Sequence, residues 1–338
     1  MKHDILFMND ETVNGLVAGN MKMVMEDVEK CLSIFDKGDV INPTKCVMRW
    51  GKTPEDENIY GRINAMPGYV GGDVNMAGIK WIGSGPQNFK KGLPRASVTV
   101  ILNDPDTKLP LAISDATTVS AKRTGAAGGL AVKYLAKKNA KVMLICGAGA
   151  QSRTQLEATL LVRPSIEKVY IYDLFFDRAQ AYAAEMHEKT GVEIIPVETP
   201  EAAAREADII TTVTLANEPF IEADWLKKGV LMVQMADYEV TYDCVRKADK
   251  IVCDTWEGIK HRMISPIALM YDQGLLKDED IYCELGGIIN GRKPGRESDD
   301  EIIYFNAVGM GIEDLTVVAH AYALAKAEGK GRIVNFWA

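Results

Sequence analysis

Residues Lys141 to Asp173 read KVMLICGAGAQSRTQLEATLLVRPSIEKVYIYD. An apolar run, Val142 to Cys146, stops at Gly147-Ala148-Gly149-Ala150-Gln151-Ser152. Leu156, Leu160 and Leu161 then recur at helical spacing, and a second apolar run, Val169 to Tyr172, closes on Asp173. This pattern predicts strand, glycine turn, helix, strand and acid. Gly147 permits the tight turn, and Gly149 lets a pyrophosphate approach a helix N-terminus, where unpaired N–H groups and the helix dipole favour an anion. Asp173 lies roughly 20 or more residues beyond the glycines, where a carboxylate accepts the adenosine ribose hydroxyls. Ser152 stands where a third glycine is usual. A carboxylate at 173 repels a 2′-phosphate, which points to NAD(H) rather than NADP(H).

Outward from this stretch, apolar runs alternate with helical segments: Val192 to Ile195, Asp208 to Val213, Val230 to Met235 and Lys250 to Cys253. Such alternation predicts a parallel sheet with helices on both faces. Upstream, Thr117 to Leu135 reads as a helix whose small residues (Ala121, Gly125, Ala126, Gly129) suit close packing. Residues 45–115 change style. Cys46–Met48, Ala77–Ile82, Ser97–Leu102 and Leu111–Ile113 are short β-like runs split by Gly, Pro, Asn and Asp. Before them, a strand at Ile5–Phe7 and one long amphipathic helix from Val13 to Leu32 are expected, capped near Asn9 to Glu11. Past Glu284, a glycine-rich loop and then an amphipathic helix over Leu315 to Ala325 are expected.

A chain of 338 residues is long enough for two cores. A net charge of -8 argues against a broad nucleic-acid surface. No apolar run approaches the roughly 20 residues of a membrane span, and Met1-Lys2-His3-Asp4 does not open a signal peptide. The six cysteines lack CxxC spacing and several lie in apolar runs, which reads as a reduced cytoplasmic chain with core thiols. The four histidines never pair at metal-ligand spacing, so no metal is expected.

Four residues stand out for chemistry besides the nucleotide motif: Arg49, Lys80, Arg123 and Asp237. Taken singly, each reads as a surface ion pair or strand-end charge. Their combination is what matters, because in an open α/β sheet the ligand lies beyond the carboxyl ends of the strands, where Asp237, Gly147 and Asp173 fall.

The chain resembles the ornithine cyclodeaminase/mu-crystallin family over nearly its whole length. The resemblance rests on Ala65-Met66-Pro67, Gly78-Ile79-Lys80-Trp81, Ser114-Asp115-Ala116-Thr117, Arg123-Thr124, Gly147 to Ser152, Ile209 to Thr214, Glu284-Leu285-Gly286 and Gly291 to Arg296. It implies NAD(P)-dependent chemistry at the C–N bond of small α-amino or α-imino acids, in a homodimer. It further implies a Rossmann-type doubly wound sheet (126–311) inserted into an α+β substrate-binding and dimerisation domain (1–125 plus 312–338). By position, Arg49, Lys80 and Arg123 resemble the residues that hold the substrate carboxylate, with Lys80 also helping to activate a water or an imine. Asp237 resembles the catalytic acid that handles the substrate nitrogen and its proton. Arg123, Thr124, Gly147, Gly149, Ala150, Gln151, Asp173 and Thr214 fall on cofactor-binding positions, the cofactor being NAD.

Two departures bear on the substrate. Ornithine-specific members carry a glutamate for the distal amine where this chain has Asn64. They also flank the catalytic acid with Gly-Gly and a Cys-Pro-Gly-Lys-type turn, where this chain reads Met235-Ala236-Asp237-Tyr238-Glu239. The expected function is therefore an NAD(H)-dependent amino-acid or imino-acid oxidoreductase. The alternatives are a cyclodeaminase that recycles its NAD, with Glu239 or Glu55 replacing the distal carboxylate, and a non-catalytic binder of mu-crystallin type.

Overall fold

The computed structural model describes residues 3–50, 61–235 and 237–337. The first elements in chain order are β1 (His3–Met8), α1 (Asp10–Val13), α2 (Met21–Asp36), β2 (Val40–Ile41), β3 (Cys46–Trp50), β4 (Gly61–Val70), β5 (Met76–Ser84), β6 (Ala96–Asn103), β7 (Pro110–Asp115) and α3 (Thr117–Leu135). They are followed by β8 (Val142–Cys146), α4 (Ala150–Val162), β9 (Lys168–Tyr172), α5 (Phe176–Thr190), β10 (Glu193–Val197), α6 (Glu201–Glu206), β11 (Ile209–Thr212) and β12 (Leu231–Gln234). The remainder are α7 (Tyr242–Arg246), β13 (Lys250–Cys253), α8 (Trp256–Lys260), α9 (Pro266–Asp272), β14 (Cys283–Glu284), α10 (Leu285–Ile289), β15 (Ile303–Asn306), α11 (Gly311–Glu328) and β16 (Arg332–Trp337). The chain divides into two compact units, one of residues Met1–Arg123 with Met310–Ala338, the other of Thr124–Gly309.

The second unit holds an eight-stranded sheet in the order β10-β9-β8-β11-β12-β15-β13-β14, with every pairing parallel. The order runs outward from β8 through β9 to β10, then reverses from β8 to β11. This is the doubly wound, Rossmann-type arrangement, and its switch point lies between β8 and β11. Strands β11, β12, β13 and β15 are buried throughout, as expected of parallel strands covered on both faces. The strand β15 corrects the expected loop after Glu284. Its four residues sit mid-sheet between β12 and β13, but Ser298-Asp299-Asp300-Glu301 before it and Gly309-Met310-Gly311 after it make the segment read as loop. In α3, a Cβ at Gly125 would come within 2.6 Å of Thr154, so the small residues there do serve close packing, against α4.

The first unit holds a mixed eight-stranded sheet, ordered β16-β1-β7-β6-β5-β4-β2 with β3 also on β4. Strand β4 went unread because it contains Gly, Pro and Asn. Its Pro67 lies between Ala65, which pairs with β3, and Tyr69, which pairs with β2, so the proline without an N–H occupies a gap in the ladder on that side. The expected long N-terminal helix is also corrected. It is broken at Gly19-Asn20, where the Asn20 side chain accepts from the Lys22 and Met23 N–H groups and starts α2 afresh. A third correction concerns α11. It is buried on all sides from Gly311 to Ala319 rather than along one stripe, because it packs on both the sheet and α2. Gly68 and Gly78 make room for it: side chains there would come within 2.6 Å of Ile312 and 3.1 Å of Leu315.

Candidate active site

Cross-strand register places Arg49, Asn64 and Lys80 on one face of the first unit's sheet. Arg49 pairs with Arg62, and within β4 the alternate residues Arg62, Asn64 and Met66 share a face, with Met66 opposite Lys80. That is the face on which α11 lies, since a Cβ at Gly311 would come within 2.8 Å of Met66. Lys80 is 1% exposed. Its ammonium donates to Ser120 Oγ at 2.8 Å and to Asp314 Oδ2 at 2.9 Å, and Asp314 Oδ1 lies 2.8 Å away. Arg123 Nη1 donates to Glu313 Oε2 at 2.9 Å, and its Nε lies 3.0 Å from Asp314 Oδ2. The side chains of Glu313 and Asp314 are fully enclosed. Among the described residues, two cations and two anions thus meet in one buried cluster. Burial, and secondarily Arg123, lower the Lys80 ammonium from the ordinary lysine range to about 8, with Asp314 opposing.

Sequence reasoning found the two cations and missed the two acids. Glu313 and Asp314 open α11 and look like ordinary first-turn acids of a helix. Their burial shows only in three dimensions. Arg49 is exposed on β3 and is not among the ion pairs that Lys80 and Arg123 form with the described residues. The Asn64 side chain is buried, and its Oδ1 has no hydrogen-bond partner among the described residues.

In the second unit, β8 is followed directly by Gly147, whose φ of 105° is open to glycine and strained for other residues. Val213 O would lie 2.9 Å from a Cβ at that position. The Gly147 N–H donates to Tyr172 O at 2.7 Å. Asp173, at the end of β9, accepts from Ala148 N at 2.8 Å and Phe175 N at 3.0 Å, so the acid also braces the turn. Gly149 is the N-cap of α4, and a Cβ on it would meet nothing within 4 Å. The open space at this helix N-terminus suits an anionic group. Ala150 and Gln151 form the first turn of α4. Ser152 is buried and turns its hydroxyl to Gly149 O at 2.6 Å, which explains how a serine is accommodated at the third-glycine position. Arg153, not singled out from the sequence, donates to Gly149 O at 2.8 Å and Ala148 O at 3.2 Å. Thr124 O accepts from Gln155 Nε2 at 3.0 Å, tying α3 to α4.

Asp237 follows β12, two strands from the glycine turn in the sheet order, and is half-buried. Its backbone carbonyl accepts from Gln234 Nε2 at 3.0 Å. Glu239 is 0% exposed and accepts from Thr214 N at 2.8 Å, Thr214 Oγ1 at 2.9 Å, Gln234 Nε2 at 3.0 Å and Thr212 Oγ1 at 3.2 Å. Burial raises its carboxyl above the usual range, and these donors oppose the rise. This corrects the expectation that Glu239 could serve a distal amine: its oxygens are enclosed and already committed. Glu55 lies outside the described residues.

Together these features define a dinucleotide-binding α/β protein whose second unit carries the nucleotide turn and whose first unit buries charged side chains on its sheet. The ornithine cyclodeaminase/mu-crystallin family profile matches residues 7–329, and the chain belongs to that family. It is 32% identical over 339 residues to N-((2S)-2-amino-2-carboxyethyl)-L-glutamate dehydrogenase of Staphylococcus aureus, covering 100% of each chain. The structure of Thermococcus litoralis Δ1-pyrroline-2-carboxylate reductase in complex with NADH and L-proline superposes with a TM-score of 0.88 at 36% identity, over 97% of this chain and 99% of that one. An archaeal alanine dehydrogenase dimer with bound NAD gives a TM-score of 0.90 at 33% identity, over 99% of this chain and 100% of the other.

Proposed function

We propose that this chain is an NAD(H)-dependent oxidoreductase acting at the C–N bond of a small α-amino or α-imino acid. The observation that carries the reading is the place of Asp237, an acid at the carboxyl end of β12 in the same parallel sheet whose β8 ends in the glycine turn. In such sheets cofactor and substrate lie beyond these strand ends.

Gly147, Gly149, Ala150 and Gln151 would hold the pyrophosphate, Asp173 the adenosine ribose, and Arg123, Thr124 and Thr214 further parts of the dinucleotide. NAD(H), when bound, supplies or accepts the hydride. Asp237 favours a positively charged nitrogen beside it and moves the proton on or off that nitrogen. Arg49, Lys80 and Arg123 hold the substrate carboxylate. Lys80 and Arg123 are already fixed by Asp314 and Glu313, so the substrate meets preorganised donors rather than an excess of positive charge. Asn64 in place of a distal carboxylate, and a Glu239 that is fully engaged, favour net oxidation or reduction over cyclising deamination.

The homodimer belongs to the same reading. Phe7 and Trp81 are exposed apolar side chains that cross-strand register places on one face of the first unit's sheet, the face opposite Lys80, a surface suited to a second copy. The archaeal neighbour, which covers the whole of this fold, is itself a dimer. Light scattering at micromolar concentration should give twice the chain mass.

The activity is tested by mixing the protein with NADH and cyclic α-imino acids, or with α-keto acids plus amines, and following NADH absorbance. Consumption matched to amine formation is expected. Failure to consume NADH with any of these substrates would overturn the assignment.

A further inference from the structure

Glu239 has an unusual setting. Among the described residues, it is a fully buried carboxylate held by neutral donors alone: the Thr214 amide and hydroxyl, the Thr212 hydroxyl and the Gln234 amide. Burying a carboxylate is costly unless its lone pairs are satisfied, and here each oxygen receives two donors. The Gln234 amide is oriented by the network itself. Tyr304, fully buried on the neighbouring β15, donates its hydroxyl to Gln234 Oε1, so Nε2 must face the other way. That Nε2 donates to both Glu239 Oε2 and the Asp237 carbonyl, each at 3.0 Å. On the opposite side, Glu239 Oε1 fixes Thr214, whose Cγ2 would lie 3.2 Å from a Cβ on Gly147. One carboxylate therefore anchors the floor of the glycine turn through Thr214 and the Asp237 loop through Gln234.

We infer that Glu239 is a positioning residue that holds the nucleotide turn and the proposed acid Asp237 in register with each other. The inference rests on the cofactor reading above and adds to it a residue that touches neither cofactor nor substrate. Its logic is directional. In Glu239→Gln, one acceptor oxygen becomes an N–H₂ group. That group must oppose either the Thr214 N–H or the Gln234 amide, and only hydroxyl partners can turn to accommodate it. Adding Gln234→Glu returns an acceptor to the Gln234 side. The pair then bonds again and Thr214 regains its acceptor, but the Asp237 carbonyl now faces a carboxylate oxygen instead of an N–H. The double exchange should therefore repair the nucleotide side and leave the Asp237 side unrepaired.

The test uses two readouts that need no known substrate: NADH affinity by fluorescence titration, and hydrogen exchange of the 234–241 segment by mass spectrometry. For Glu239→Gln we expect NADH affinity to fall and segment exchange to rise, each by about tenfold, the effect of one unsatisfied buried donor. For Glu239→Gln with Gln234→Glu we expect affinity within about threefold of wild type while exchange stays about tenfold fast. Should the single variant not fold, wild type against the double exchange still carries the comparison. Both readouts unchanged in the single variant, or wild-type exchange in the double exchange, would overturn the inference. So would loss of both readouts together in the double exchange, which marks a merely structural carboxylate. Absence of NADH binding by the wild-type protein would instead overturn the cofactor reading itself, and this inference with it.

Discussion

The two units bury carboxylates in opposite ways. In the first, Asp314 and Glu313 are neutralised by Lys80 and Arg123, charge against charge. In the second, Glu239 is surrounded by hydroxyl and amide dipoles. The partners also differ in distance along the chain. Lys80 and Asp314 are 234 residues apart and Arg123 and Glu313 are 190 apart, whereas Glu239 lies 25 residues from Thr214 and 5 from Gln234. The ion cluster thus exists only when the chain's two ends have come together, while the dipole network is assembled within neighbouring βα units. The first arrangement makes removal of one partner costly. The second makes orientation, more than charge, the property at risk.

The largest effect expected from this contrast lies in turnover. Asp237→Ala removes the group assigned to the substrate nitrogen and should lower kcat by about 10²–10⁴-fold. NADH affinity should stay within about threefold, because the group acts on the substrate and not on the dinucleotide. Equal kcat in the variant would remove Asp237 from the mechanism.

Next is stability in the ion cluster. Asp314→Ala leaves Lys80 buried beside Arg123 without its nearest anion and should cost about 3–5 kcal/mol, measured by denaturant unfolding. A change indistinguishable from that of a surface pair would break the contrast between the units.

The pH dependence sharpens it further. With the Lys80 ammonium lowered to about 8, turnover that needs the charged form should fall as pH rises through about 8. Asp314 is the group that opposes the lowering, so Asp314→Asn should move this alkaline limb to lower pH. The linkage to stability has the opposite sign. The unfolded chain keeps this lysine proton up to about 10.4, whereas the folded chain sheds it near 8, so this group adds stability as pH rises across that window. A pH profile flat from 7 to 9 would contradict the assignment of the charged form.

A smaller effect concerns the cofactor. NADH should bind tighter than NADPH, and Asp173→Ser should narrow the preference by about tenfold, since it removes the carboxylate that repels a 2′-phosphate. Tighter NADPH binding by the wild-type protein would contradict the role of Asp173. The smallest effect is the control. Lys22 and Glu26 are exposed partners 4.0 Å apart on α2, and Lys22→Ala should change stability by no more than about 0.5 kcal/mol.

The same difference in chain separation explains how much was legible in the sequence. The nucleotide turn, Asp173 and the strands of the parallel sheet up to β13 could be read locally, because each is a short apolar run closed by turn residues. The strand β15 escaped because the charged residues before it and the glycines after it make the whole segment read as loop. The strand β4 escaped because Gly, Pro and Asn imitate turns, and its proline is tolerated only where two partner strands leave a gap. Lys80 and Arg123 were visible as isolated basic residues, but Asp314 and Glu313 were not, since nothing nearby in the chain marks helix-opening acids as buried. Glu239 was visible as an acid and misjudged as available, because burial and saturation by four donors depend on β11 and β12 lying side by side.

The most direct test of the central claim is product stoichiometry. The protein is incubated with catalytic NAD⁺ and a panel of L-amino acids that includes proline, alanine, ornithine and lysine, with NADH and ammonia measured separately. The account predicts NADH formed in proportion to substrate oxidised and turnover that stops when NAD⁺ is exhausted. Ammonia released in excess of NAD⁺, without accumulating NADH, would contradict it and establish a cyclising deaminase instead.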